Sequence, residues 1–236
     1  MKSSMRQEQY VKVQHVLALT NQTPTIVAVT KTYPFEIVKE AYGFGFRHFG
    51  ENRAEEAQAK IKEARAAGLS DIVWHMVGHV QGRKAKCVVE LFDWVDSIDS
   101  IKIARKLNDA AGKLNKTMNI LWEINLSGDS GKYGVDLLGW ERDKTKLNYF
   151  AVLIDESLHM ENLVVEGFMT MTPCVTDPEE NRLIFRSMRK LSDTIREQFP
   201  EFGRQLSMGT SCDYLVAASE GATMIRLGEA LFGKRR

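Results

Sequence analysis

The chain has 236 residues, carries a net charge of +1 and is 44% hydrophobic. That length supports one large α/β barrel or two small domains, and the balanced charge gives no electrostatic case for a nucleic acid or an anionic membrane as partner. No apolar run is long enough to span a bilayer, the first nine residues lack the apolar core of a signal peptide, and Cys87, Cys174 and Cys212 are odd in number, widely spaced and without metal-ligand spacing, so free thiols in a cytoplasmic protein are expected.

An amphipathic helix is expected over about residues 5–20, with Tyr10, Val13, Val16 and Leu17 on one side. Residues 25–30 read as a strand buried on both faces, and Pro34 is placed to open a helix that runs to residue 42. A short strand over 46–49 turns through Gly50-Glu51-Asn52 into a helix over 53–67, stopped by Gly68. A third strand (72–77) leads to a helix over 81–90. A fourth (94–98) leads to a helix over 100–111 stopped by Gly112. The fifth strand, 118–126, runs into a glycine-rich loop over 127–134, and helical pattern resumes over 144–159. A sixth strand (163–171) precedes a long helix over 177–198 with an acidic start. The seventh strand (205–208) and the eighth (222–227) flank a helix over 213–219, and a short final helix spans 228–232.

With no linker, low-complexity tract or repeat, residues 1–236 are expected to form one domain. Eight strand-then-helix units predict a single (β/α)8 TIM-type barrel with an extra N-terminal helix. The last helix is too short to cover its share of the barrel, so the N-terminal helix is expected to help close the outer ring. A doubly wound open sheet is the rival, weakened by the lack of a Gly-x-Gly-x-x-Gly turn after the first strand.

In such a barrel the chemistry sits at the carboxyl ends of the strands. Lys31 closes the first strand, where burial can free a nucleophilic amine, or where its stem covers apolar surface while its head reaches water. The seventh strand ends in Ser207-Met208-Gly209-Thr210-Ser211 and the eighth in Arg226-Leu227-Gly228-Glu229. Those two loops are the recurrent phosphate site of barrels. There Thr210 and Ser211 offer hydroxyls, and Gly209 and Gly228 let backbone approach an oxyanion; helix capping and turning are the plainer roles for the same residues. Arg226 suits either a salt bridge at the mouth or a ring nitrogen or carboxylate. A lysine for an aldehyde, donors for a phosphate and a partner for a pyridine nitrogen together match pyridoxal phosphate.

Five blocks carry a resemblance. They are Ala28-Val29-Thr30-Lys31-Thr32-Tyr33-Pro34, Phe49-Gly50-Glu51-Asn52, His75-Met76-Val77-Gly78-His79-Val80-Gln81, Leu206-Ser207-Met208-Gly209-Thr210-Ser211 and Arg226-Leu227-Gly228-Glu229-Ala230-Leu231-Phe232-Gly233. In this order, over nearly the whole chain, they resemble the pyridoxal-phosphate homeostasis proteins, single-domain relatives of the alanine racemase N-terminal barrel of fold type III. The resemblance implies that Lys31 holds pyridoxal 5'-phosphate as an internal aldimine and that Ser207, Thr210, Ser211 and the backbone at Gly228 and Glu229 bind at its phosphate end. It implies that Arg226 faces the pyridine nitrogen and that Asn52 lies beside the cofactor, a residue that also suits a helix N-cap. His75 and His79 flank the expected mouth. Three departures stand out: Arg83 where the family more often has asparagine, Glu229 where it often has threonine, and a long connection over 140–150. The loop at 127–134 suits either an anion nest around Lys132 or a flexible surface segment.

The implied function is cofactor homeostasis: reversible holding of pyridoxal phosphate, with buffering or delivery to apo-enzymes, by a cytoplasmic monomer that carries no metal. The alternative is a pyridoxal-phosphate-dependent amino-acid racemase. That reaction needs a second base opposite Lys31, which alanine racemase takes from an additional β domain in a partner subunit. This chain is expected to lack such a domain, which leaves Tyr33 and Tyr133 as local candidates. An aldolase-type barrel using Lys31 toward a sugar phosphate is a more distant reading.

Overall fold

Alternation of side chains across eight short strands builds this molecule. The computed structural model describes residues 2–18, 23–129 and 131–233. Helix α1 (Lys2–Ala18) comes first. Then β1 (Thr25–Val29), α2 (Phe35–Gly43), β2 (His48–Glu51), α3 (Ala54–Ala66) and β3 (Val73–Met76) follow. After a short 3₁₀ turn come α4 (Ala85–Leu91), β4 (Trp94–Ile98), α5 (Ile101–Lys113) and β5 (Met118–Asn125). A two-residue strand β6 (Val135–Asp136) precedes α6 (Lys144–Leu158), β7 (Leu163–Met169) and α7 (Arg182–Gln198). The chain closes with β8 (Gln205–Ser207), α8 (Tyr214–Ser219), β9 (Met224–Leu227) and α9 (Glu229–Phe232).

Among the described residues, β1 to β5 and β7 to β9 form a closed ring of eight parallel strands. The β4–β5 pairing joins the two ends of the order β4-β3-β2-β1-β9-β8-β7-β5, and β6 hangs on the outer end of β5. This is the (β/α)8 barrel expected from the sequence. Helix α1 packs on the short α9: the Tyr10 ring lies 6.1 Å from that of Phe232 and 4.9 Å from Phe44. Tyr10, Val13 and Leu17 are buried there, while the side chain of Val16 and residues 19–20 lie outside the described residues.

Several element boundaries move. The second strand runs over His48–Glu51 rather than 46–49, so Gly50 and Glu51 belong to the sheet and not to a turn. Gly112 lies inside α5, and Asn115, at φ +48°, follows its end. Residues 178–181 form a 3₁₀ turn before α7, with the Asp177 carboxylate accepting from the Glu179 N–H.

The ring has two faces. Outward residues such as Phe49, Trp74, Trp122 and Phe168 join the large apolar layer under the helices. Inward residues fill the barrel in tiers. A low apolar tier holds Leu121, Met169 and Met224, packed against Trp94. Above it the interior turns polar, with His75, Asp96, Glu123, Ser207 and Arg226 all buried. That change of tier positions the site.

Candidate functional site

Lys31 stands two residues beyond the end of β1, half-buried on the inward face. The strand ladder continues one step further through Thr30 N–H to the Gly50 carbonyl, 2.9 Å. A tight turn follows, with Tyr33 N–H donating to the Thr30 carbonyl at 3.0 Å and Thr32 at φ +67°. A threonine in that region is strained by roughly 1–2 kcal/mol, tolerated when its surroundings hold it. The holding group is buried. The Thr30 hydroxyl donates to Glu51 Oε1 at 2.7 Å, and Lys60 Nζ, reaching in from α3, donates to the Thr30 carbonyl at 2.7 Å and to Glu51 at 2.5 Å. Burial pushes the Glu51 carboxyl above its ordinary pKa, and the Lys60 charge opposes that rise.

Lys31 opens onto a cavity of about 590 Å³ at the carboxyl ends of the strands. Asn52, Val77 and Met171 line it together with Thr210, Ser211, Arg226, Gly228 and Glu229. The structure thus brings seven of the eight sequence-predicted residues to one cavity. Ser207 lies behind Arg226, whose Nη1 donates to its hydroxyl and to its carbonyl, both at 2.7 Å. Asn52 is not the N-cap of α3; that position is Arg53, and no side-chain capping bond is made there.

The cup after β8 and β9 has defined chemistry. Gly209 sits at φ +93°, and a Cβ there would stand 2.5 Å from that of Ala217, so only glycine fits. Asp213 ties the loop down: its Oδ1 accepts from Thr210 N–H at 2.7 Å, and its Oδ2 from the Thr172 hydroxyl at 2.5 Å and the Asn181 amide at 2.9 Å. The Ser211 hydroxyl accepts from the N–H groups of Gly228 (3.3 Å) and Ala230 (3.0 Å). Ser211 therefore caps the start of α9, not α8, and marks where two backbone donors converge on one oxygen. Donors converging in this way suit a phosphate oxygen equally well.

Arg226 is a fixed cation. Its Nη2 donates to the Thr170 carbonyl at 2.8 Å and lies 3.0 Å from Met171 Sδ. Burial pushes its pKa below the ordinary value, opposed by the charges of Asp96, Glu123 and Asp213. The Glu123 carboxyl, buried on β5, is pushed up to about 7 by desolvation; Arg226 opposes the rise and Asp99 adds to it.

Below lies a relay of buried polar groups. Asp96 Oδ1 meets His75 Nδ1 at 3.0 Å, and His75 Nε2 meets His48 Nδ1 at 2.9 Å. Burial first, then the neighbouring His75, lowers the His48 pKa to about 4. His75 is therefore a fully buried interior residue, not one flanking the mouth. His79 is nearer the mouth, half-buried, its ring stacked 4.0 Å from that of Tyr133. The Tyr33 hydroxyl donates to the Gly233 carbonyl at 3.2 Å, and no tyrosine is among the described residues that line the cavity.

His48, Asp96 and Glu123 escaped the sequence reading. Each is a titratable residue within a strand, and the structure turns each one inward. The connection over 140–150 proves to be packing. Trp140 is buried and donates to the Ser187 hydroxyl at 2.9 Å, Asp143 caps α6, and Phe150 packs on Trp122 and Phe168. In the loop at 127–134, Asn125 Nδ2 donates to the Asp129 carbonyl at 2.9 Å and Lys132 Nζ lies 3.4 Å from the Met171 carbonyl.

Comparison with known proteins identifies the family. Residues 11–236 match the family described as alanine racemase, N-terminal domain. The chain is 38% identical to the pyridoxal phosphate homeostasis protein of Synechocystis sp., over 93% of this chain and 95% of that one. It is 36% identical to the protein of the same name from Vibrio alginolyticus, over 92% and 88%. Its fold superposes on PipY of Synechococcus elongatus, solved with PLP bound, at a TM-score of 0.83 and 31% identity, covering 96% of this chain and 99% of PipY. An alanine racemase of Clostridium difficile shares the fold at a TM-score of 0.74 and 14% identity. The chain belongs to the alanine racemase N-terminal-domain family and, within it, to the pyridoxal phosphate homeostasis proteins.

Proposed function

We propose that this protein holds pyridoxal 5'-phosphate reversibly at the mouth of its barrel and takes part in homeostasis of that cofactor by buffering it or passing it to apo-enzymes. One observation carries the reading: a single cavity brings the Lys31 amine, the Ser211 cup and the buried Arg226 cation together, at the carboxyl ends of β1, β8 and β9. The relatives' names and the PLP-bound PipY structure support it.

When bound, the cofactor supplies an aldehyde that condenses with a primary amine. Lys31 is the amine on the cavity wall, and the turn at Thr32 keeps it there. The Ser211 hydroxyl and the N–H groups of Gly228 and Ala230 hold the phosphate end. Arg226, clamped by three oxygens, keeps a positive charge at the ring and its nitrogen unprotonated. Asn52 offers an amide from the same cavity lining. Glu229 serves through its backbone, its carboxylate turned from the phosphate. The molecule acts as a monomer in the cytoplasm.

The test is equilibrium dialysis of the full chain against pyridoxal phosphate with a visible absorption spectrum. Near-stoichiometric retention with an absorption band above that of the free aldehyde is expected, with the band lost in Lys31→Ala. A spectrum unchanged by Lys31→Ala would overturn the reading.

A further inference from the structure

Cys174 and Cys212 are 38 residues apart in sequence, yet their sulfurs lie 3.3 Å apart and both side chains are exposed. One carboxylate sets this up. Asp213, next to Cys212, accepts from Thr172, two residues before Cys174, and from Asn181, whose amide also donates to the Pro173 carbonyl at 2.9 Å. Both cysteines are thus carried on backbone pinned to the same group. A disulfide bond is about 2.05 Å long, so bonding needs roughly 1.2 Å of approach, within reach of side-chain rotation when the backbone is already matched. The third cysteine, Cys87, lies half-buried on α4, apart from the pair.

We propose that Cys174 and Cys212 form a modification site: the dithiol oxidises to an intramolecular disulfide, and that bond slows release of the phosphate-bearing ligand. The second half rests on the cofactor reading above. Cys212 directly follows Ser211, and Met171, three residues before Cys174, lines the same cavity. Parting of these two loops opens the mouth, and a covalent link between them opposes it.

The oxidant is a low-molecular-weight disulfide, for which glutathione disulfide is the probe. Cys174 gives its proton to solvent and its sulfur attacks one sulfur of the reagent. One glutathione thiolate leaves and takes up a proton. Cys212 then loses its proton, attacks the Cys174 sulfur of the mixed disulfide and expels the second glutathione. Two protein S–H bonds and the reagent S–S bond break; one protein S–S bond and two glutathione S–H bonds form. Two electrons pass from protein to reagent.

The experiment treats the full chain with glutathione disulfide, desalts it, and maps peptides without reduction. A linked Cys174–Cys212 peptide is expected, with Cys87 still open to alkylation. Release of pyridoxal phosphate to an excess of an apo-enzyme is then timed. The oxidised chain should release about three- to tenfold more slowly than the reduced chain. Dithiothreitol should restore the rate, and Cys174→Ser should release at the reduced rate under both conditions. Glutathione adducts without the internal link would overturn the proposal. A complete link with an unchanged release rate would overturn its second half. A linked chain that never retains pyridoxal phosphate in either state would contradict the cofactor reading, with the modification site itself established by the peptide map.

Discussion

At Ser211 two backbone N–H groups, of Gly228 and Ala230, converge on one hydroxyl oxygen. The residue stands out because a serine follows Gly209 in the loop after a late strand. The sequence could not show that its hydroxyl takes the N–H groups of Gly228 and Ala230, because those lie in the next strand's loop. Ser211→Ala should weaken retention of pyridoxal phosphate about ten- to a hundredfold, the worth of one hydrogen bond to a charged group, with little change in stability. Unchanged affinity in dialysis would place the phosphate elsewhere. Glu123 was missed because, by sequence alone, one carboxylate in the apolar run Leu121-Trp122-Glu123-Ile124 looks like a solvent-facing residue; it gains meaning only when Arg226 lies opposite. Its carboxyl rises from the ordinary 4.5 to about 7 on folding, so its stabilisation is full below about pH 4.5 and is lost as pH rises through 7. His48 runs the other way. With its pKa lowered to about 4, its contribution is full above about 6.5 and lost as pH falls through 4. The two slopes oppose each other between about pH 4.5 and 6.5. Glu123→Gln should therefore make stability rise with pH across that window, and should spare the chain about 3 kcal/mol of the wild-type loss between pH 4.5 and 8. Urea unfolding at several pH values checks this; identical pH profiles would contradict it.

At the scale of elements, the sheet was easier to read than its edges. Periodicity and turn residues located every barrel strand, and β4 falls on the expected residues. The second strand slipped by two residues because Gly50-Glu51-Asn52 has the composition of a turn. What makes Glu51 a strand residue is Lys60, nine positions on, reaching back from α3. Local composition carries no record of that partner. The short β6 was invisible for a similar reason: two residues gain strand geometry only by lying against β5. The Glu51–Lys60 pair yields its own prediction. Lys60→Met should cost about 3–5 kcal/mol, because a carboxylate is left buried beside an apolar chain. The deficit should grow with pH as Glu51 ionises. The double variant Lys60→Met/Glu51→Gln should recover most of it by thermal and urea unfolding. A double variant no more stable than the single one would show that packing of the lysine stem, not the charge, holds the Thr30 turn.

Over the whole molecule, the barrel separates two tasks. Its outer apolar layer, closed by α1 against α9, supplies stability, while the polar upper interior and the strand-end loops line the candidate site. The eight-unit rhythm made that architecture readable, and the clustering of seven predicted residues around one cavity followed from it. On the proposed reading Lys31 would serve one face of a bound amino acid, while Tyr33 is committed to Gly233 and Tyr133 stacks on His79 outside the cavity wall. Loss of one acid–base group typically costs about 10²–10⁴-fold, and Arg226 in its proposed place at the ring would weaken the cofactor as an electron sink. Deuterium exchange at Cα of alanine and other amino acids, with a chiral assay, should show negligible racemisation. Rapid turnover abolished by Lys31→Ala would make this protein an enzyme. The identity of the amine that binds the cofactor tests the proposed reading most directly. The chain is loaded with pyridoxal phosphate, reduced with borohydride and mapped by peptide mass. The pyridoxyl adduct should fall on Lys31 alone and be absent from Lys31→Ala; a stoichiometric adduct on any other lysine, with Lys31 unmodified, would contradict it.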